Sequence, residues 1–270
     1  MRQALTIHGR FRKSRSLLVV AICTLLTGTS LGAFSFSARA ALPNLVQNSS
    51  FAITGGSTSF QFGSGYSSSE TLANWSTSGY NFVFVPGTAD SAGATGVYGN
   101  LKLWGPNDGS ANGLPAASPT GGNYIAADGA FQVQPITQTI SGLKVGQAVA
   151  VSFAWAAAQQ YSFDGPTTDL WTVGLGSSPN QSTGIASIPT HGFSGWMNET
   201  FYFVATSSSE VLSFLATGTP AGVPPFALLA NVSVTNVPEP ASVMLMLSGI
   251  AGIAGFARRR GPRVSGKAAD

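Results

Sequence analysis

Beyond its first forty residues the chain has one histidine, His191 in Thr190-His191-Gly192-Phe193, and its one cysteine, Cys23, lies within those forty. A lone imidazole does not make a histidine-based metal centre, and a lone thiol makes neither a disulfide framework nor a zinc site. A Ser-His-Asp arrangement would have to recruit His191 from a glycine-flanked loop, with no nucleophile elbow in the chain, so His191 reads as a loop residue. Glycoside hydrolysis needs two carboxylates facing one cleft. The acids Asp90, Asp108, Asp128, Asp164, Asp169, Glu199 and Glu210 show no spacing that singles out a pair, and most sit in Gly- or Pro-rich turns that favour Asp for backbone hydrogen bonding. Glu199 shares a strand face with Met197 and Phe201, which suits an edge strand. No metal site, cofactor or catalytic group is expected from these residues.

The aromatic residues suit binding better than turnover. Trp75, Tyr80, Trp104, Tyr124, Tyr161, Trp171 and Trp196 include several near expected loops. A flat ring with a polar tip stacks on a sugar face while neighbouring Asn and Asp take the hydroxyls. Trp104, in Leu103-Trp104-Gly105-Pro106-Asn107-Asp108, and Trp196, beside Ser194-Gly195, are the candidate sugar contacts, with ordinary packing as the alternative for each. A loop around Tyr124 to Asp128, with Gln134, is a candidate lining of the same end. Trp155 and Trp171 fall on strand faces and read as core.

The elements that must hold these residues are strands. Val149, Val151, Phe153 and Trp155 point one way and Ala148, Ala150, Ser152 and Ala154 the other; Trp171, Val173 and Leu175 repeat the pattern, as do Phe201 to Ala205, Val211 to Ala216 and Phe226 to Val234. Turn chemistry separates the runs at Ser141-Gly142, Val145-Gly146, Asp164-Gly165-Pro166, Gly176 to Pro179 and Thr217 to Pro225. Short strands at this spacing predict an all-β sandwich over residues 41–236, with no helix in it. The stretch from Gly55 to Ser69, rich in Ser, Gly and Thr, reads as a flexible insertion or decorated loop.

Charge divides the chain of 270 residues into three parts. Residues 1–40 carry six Lys or Arg and no acid, residues 41–257 two basic residues against nine acids, and residues 258–270 five against one. The sequence pI near 9.2 therefore describes the ends alone. Lys102 and Lys144 are the only cations in the acidic middle, which excludes binding to a nucleic-acid backbone.

Both basic ends border apolar runs. Arg10, Arg12, Lys13 and Arg15 precede Leu17 to Leu26, and Ala38-Arg39-Ala40 stands before Ala41, so residues 1–40 read as a secretory signal peptide cut between Ala40 and Ala41, with small Ala38 and Ala40 fitting the peptidase. The implied partners are the Sec translocon and signal peptidase; an uncleaved anchor helix is the alternative. At the other end Pro238-Glu239-Pro240 leads into an uncharged run at 243–257, then Arg258, Arg259 and Arg260. Fifteen residues make a helix of about 22 Å, short for a hydrocarbon core of ~30 Å, so the span is a marginal anchor. The arginines hold the cytoplasmic side and leave the large middle segment outside. Two prolines keep the junction extended, a form that a processing enzyme can grip.

These three parts, in this order and at the terminus, resemble the PEP-CTERM sorting signal of exported proteins in Gram-negative bacteria that make exopolysaccharide. The resemblance covers about the last thirty residues and implies that an exosortase, a polytopic membrane enzyme, cuts near Pro-Glu-Pro. A plain anchor that is never processed is the alternative. The expected organisation is a signal peptide at 1–40, the β domain at 41–236, the sorting segment at 237–262 with its transmembrane helix at 243–257, and a basic cytoplasmic tail at 263–270.

A second resemblance spans nearly the whole middle. Asn48 to Phe51, Trp75, Ile136 to Gly146 followed by the strand Ala148 to Trp155, Phe201 to Ala205 and the closing Asn231 to Val234 together resemble a galactose-binding-like jelly roll, a family that includes carbohydrate-binding modules. Relatives that hold a structural Ca²⁺ use acids near the two ends; Ser50, Ala52 and Ala230 stand at those places, so that site is expected to be missing. The expectation is an exported, non-enzymatic jelly-roll sandwich, held briefly at the inner membrane by one span and passed to the cell surface or matrix, where it binds or scaffolds exopolysaccharide. A purely structural adhesin or matrix protein and a polysaccharide hydrolase are the rivals.

Overall fold

β-Branched and aromatic residues alternating with small or hydroxylated ones favour pleated, half-buried strands, and the middle of the chain has little else. A computed structural model describes residues 42–238. In chain order the strands are β1 (Ile53–Thr54), β2 (Phe60–Gln61), β3 (Thr71–Leu72), β4 (Asn81–Phe84), β5 (Ala94–Gly96), β6 (Gly99–Leu101), β7 (Tyr124–Asp128), β8 (Ile136–Ser141), β9 (Ala148–Gln159), β10 (Thr167–Leu175), β11 (Gln181–Ser182), β12 (Ala186–Ile188), β13 (Met197–Val204), β14 (Ser209–Thr219) and β15 (Pro225–Asn236). Against the expectation of no helix there is one 3₁₀ turn, Pro106–Asp108, where the fixed φ of Pro106 suits the first helical position.

The strands form two main sheets. The larger runs β13-β9-β15-β7-β4-β2-β5-β6; the smaller runs β11-β10-β14-β8, with β12 also on β10. From β8 to β10, and again from β13 to β15, consecutive strands fall in opposite sheets, the crossing pattern of a jelly roll. The expected alternation packs the interior: Val149, Val151, Phe153 and Trp155 of β9 meet Trp171 and Val173 of β10 and Phe214 of β14. Trp171 spans the two layers and donates its indole N–H to the carbonyl of Leu228, 3.0 Å away.

The larger sheet is apolar on its outer face as well. Phe82, Phe84, Tyr124, Ala126, Ala154, Ala156, Ala158, Phe226 and Leu228 point away from the first core and form a second, closed by Leu101, Leu103 and Leu114. Leu103 pairs with Gln160, so the chain after β6 folds back across the sheet to the end of β9. The alanines of β9 leave room for the incoming rings. Residues 55–69, expected as a loose insertion, contribute β2 between β4 and β5, with Phe60 and Phe62 in the first core. Near the start, the Asn48 side chain donates to the carbonyls of Ala52 (2.9 Å) and Ala73 (3.1 Å) and accepts from the Ala52 N–H (2.7 Å), while Ala230 is buried in the second core.

Candidate functional site

Five of the eight acids in residues 42–238, the one histidine and one of the two lysines gather at one end of the sandwich, with Asp169 on the smaller sheet and the other four beside the larger. A row of neighbours defines that end. Trp104 N–H donates to the Gln159 carbonyl (3.0 Å), Gln159 pairs with Pro225, Phe226 pairs with Asp128, and Asp128 N–H donates to the Tyr80 carbonyl (3.2 Å). Asp90 joins the row by accepting from Asn107 N–H (2.9 Å) and Nδ2 (3.0 Å).

On the Trp104 side the geometry is a stack. The His191 ring lies 3.7 Å from the indole at 28°, Tyr161 lies 4.6 Å away, and Trp104 Nε1 donates to the Phe163 carbonyl (3.0 Å). Lys102 pairs with Asp108 and stands 4.2 Å over the Tyr161 ring. His191 holds a left-handed φ of 59°, fixed by its N–H on Gln159 Oε1 (2.6 Å) and by its carbonyl, which accepts from Ser110 and Asn112. Its Nε2 meets Asp164 Oδ1 at 2.6 Å, and Asp164 is exposed. His191 is a loop residue, as expected, and its ring fastens the loop to Trp104. Trp104 is half-buried by these neighbours.

At the Asp128 end lies a pair of rings that the sequence reading did not single out. Tyr98, at the β5–β6 turn, is 63% exposed and Phe131 43% exposed, with their centroids 5.6 Å apart. Tyr80 supports both, 5.7 Å from Tyr98 and 5.4 Å from Phe131, and Gln132 Nε2 donates to the Tyr98 hydroxyl (2.8 Å). Asp128 shapes the turn that carries Phe131: its Oδ1 accepts from the N–H groups of Ala130 (2.8 Å) and Phe131 (2.9 Å). Burial pushes the Asp128 carboxyl up to about 6, with the two N–H donors pulling the other way. Burial, then the charge of Asp128, then Tyr98, raises the Tyr80 phenol to about 12. Large rings set among glycine turns, as Tyr98 before Gly99 and Phe131 after Gly129, were the available signal.

Tyr124 and Trp196 lie elsewhere. Tyr124 opens the central strand β7 rather than a loop and is fully buried, with burial and then Asp90 raising its phenol. Trp196 meets it edge-on at 5.6 Å against the second core. The expected loop from Tyr124 to Asp128 is therefore a buried strand, because both faces of the larger sheet are covered there; its last residue alone reaches the charged end. Trp155 and Trp171 are core, and Glu199 lies on β13, an edge of the larger sheet.

The C-terminal side of the domain runs directly into the sorting segment. β15 ends at Asn236, Val237 N–H donates to the Ala148 carbonyl (2.8 Å), and Pro238 follows. Residues 236–260 match the family model for the PEP-CTERM protein-sorting motif. The tail is a PEP-CTERM sorting signal. A PEP-CTERM signal marks an exported protein that carries a C-terminal membrane-anchor region and implies processing by an exosortase. Glu239, Pro240, the span at 243–257, Arg258, Arg259, Arg260 and the cleavage residues Ala38, Ala40 and Ala41 lie outside the described residues. Among the described residues no helix is long and apolar enough to cross a membrane.

No curated protein matches the chain. Among solved structures, the carbohydrate-binding module TmCBM61 in complex with β-1,4-galactotriose aligns at 14% identity over 72% of this chain and 99% of its own, with a TM-score of 0.38. The CBM22-1 xylan-binding domain of Paenibacillus barcinonensis Xyn10C aligns at 12% identity over 75% and 100%, TM-score 0.34. An adhesin domain of Lys-gingipain from Porphyromonas gingivalis aligns at 12% over 61% and 93%, TM-score 0.34. These likenesses are remote, and the jelly-roll assignment rests on the strand order itself.

Proposed function

We propose that this PEP-CTERM protein is carried out of the cytosol by the Sec translocon, trimmed by signal peptidase at Ala40, anchored briefly by residues 243–257 and released by an exosortase-type enzyme to the surface or matrix of an exopolysaccharide-producing Gram-negative cell. There it binds neutral glycan, without catalysis, through the charged and aromatic end of its sandwich. The observation that carries the binding half is the pair of exposed rings, Tyr98 and Phe131, at the end of the domain that also holds the exposed Asp164. Tyr98 and Phe131 offer flat faces to sugar C–H groups, and Asp164, Gln132 and the rim around Trp104 offer hydrogen-bond partners to hydroxyls. In this reading Trp104 orders the rim through His191 and touches sugar at its edge, and Asp128 holds the Phe131 turn.

The test uses the form released from exosortase-positive cells, weighed by mass spectrometry and then applied to a glycan array. The expected mass lacks Arg258 to Arg260. The expected array shows binding to neutral polysaccharide that Tyr98→Ala with Phe131→Ala lowers roughly fivefold or more and Trp104→Ala weakens. Aromatic stacking supplies about 0.5–1.5 kcal/mol per ring pair beyond burial, so losing two rings reaches that factor. A released chain that keeps the three arginines sinks the processing half. A folded protein indifferent to the whole array supports a purely structural matrix role, and release of reducing sugar from polysaccharide would make the protein a hydrolase.

A further inference from the structure

Five carboxylates are buried among the described residues, and four of them have hydrogen-bond donors. Glu70 accepts from Thr58 N–H (2.9 Å) and Oγ1 (2.7 Å), and Glu210 from Thr206 N–H (2.8 Å) and Ser207 N–H (3.0 Å). Asp90 has Asn107 and Asp128 has its two turn amides. Asp169 is the exception: it is 1% exposed and both its oxygens lack a partner. Thr167, two residues earlier on the same face of β10 and also 1% exposed, has a hydroxyl oxygen without a partner. An ionised carboxylate in such a place costs several kcal/mol unless something neutralises it.

Among the described residues no basic side chain is to spare for that purpose. No arginine lies between residues 40 and 257, Lys102 is paired with Asp108, and Lys144 is exposed beside Asn236 at the start of the sorting segment. A second acid stands nearby instead. Asp169 pairs with Gly218, whose N–H donates to the Gly129 carbonyl (2.8 Å), and Gly129 follows Asp128. The charge of Asp128 adds to burial in raising Asp169. Gly218 itself is required here, since a Cβ on it would lie 2.8 Å from Asp169 Oδ1 and 2.4 Å from the Pro225 ring.

We propose that this end of the sandwich interior binds a hard cation, Ca²⁺ in the first instance, with Asp169 and Thr167 of β10 as ligands and Asp128 of β7 as the second carboxylate. The unsatisfied atoms of Asp169 and Thr167 are all oxygens, which selects calcium-like ions over softer metals. The ion offsets two acids in a region with no free base and ties β10 to the turn that carries Phe131. The site is distinct from the terminal pair of positions where Ala52 and Ala230 stand, and it holds whether or not the rim binds glycan.

The test is elemental analysis and thermal unfolding of the full chain in detergent, after EDTA and after calcium is restored. One Ca²⁺ per chain is expected, with the midpoint rising roughly 5–10 °C at a hundredfold excess over Kd. Thr167→Val and Asp169→Asn should each lose most of that rise, while Glu199→Gln, on the far edge strand, keeps it. If Asp169→Asn does not fold, Thr167→Val and the metal content of the unaltered protein decide. No bound calcium with an unmoved midpoint overturns the proposal, and so does a full rise in Thr167→Val. Stability that falls with rising pH and ignores calcium assigns the neutralising charge to a proton and overturns it equally.

Discussion

In the presence of a chelator, raising the pH from 4 to 7 is expected to weaken the fold, and Asp128→Asn to remove a large part of that weakening. Asp128 is 3% exposed, and its carboxyl sits at about 6 against an ordinary 3.8 because burial disfavours the charge. The folded chain therefore holds the proton more tightly than the unfolded chain. The stabilisation is complete below the unfolded value and is lost as pH rises from about 4 through about 6. A difference near two pKa units at 1.36 kcal/mol each gives about 3 kcal/mol, or roughly 6–12 °C in midpoint for a domain of this size. Asn keeps an oxygen for the Ala130 and Phe131 N–H groups, so the turn survives while the titration disappears. Asp169, raised by burial and by Asp128, contributes with the same sign, so some slope remains in the variant. Unfolding of the full chain in detergent with EDTA, followed by tryptophan fluorescence at pH 4, 5, 6 and 7, measures the slope. Stability that is flat or rising across this window, or an Asn variant with the wild-type slope, refutes the reasoning.

Phe214 packs against Trp75, Phe153 and Trp171 between the sheets, so Phe214→Ala should cost about 3–5 kcal/mol in urea unfolding; a loss under about 1 kcal/mol would contradict the packing described. Gly63 has a φ of 97°, and a Cβ there would lie 2.2 Å from the Thr77 carbonyl oxygen, so Gly63→Ala should lower the midpoint by several degrees, and an unchanged midpoint would show that the turn relaxes. Tyr124→Phe removes a buried hydroxyl without a partner and should leave stability equal or higher in the same assay; a loss above about 1 kcal/mol would show that the hydroxyl is satisfied.

Much of the first core could be read from local pattern. The alternation of Val149, Val151, Phe153 and Trp155 is a property of the strand itself, and it buries the same side chains that the spacing selects. The Pro-Glu-Pro, apolar and arginine parts of the tail are contiguous, so the sorting signal also needed no fold to be recognised. The second core was hidden because period-two reasoning asks only which residues share a face, not whether a distant segment covers it. Tyr124, Ala156 and Ala158 are buried because the segment from Leu101 to Leu114 folds back over them, a decision taken by Leu103 meeting Gln160. The charged end was illegible for the same reason. Trp104, Asp128, Asp169 and His191 become neighbours only where the ends of β7, β9, β10 and β15 converge. The sequence by itself thus determined the C-terminal sorting signal, the strand faces and the scarcity of charge, all of which depend on residues close along the chain. The tertiary structure alone decided which aromatic rings stay in water and which acids share one interior, because both follow from contacts between segments tens of residues apart.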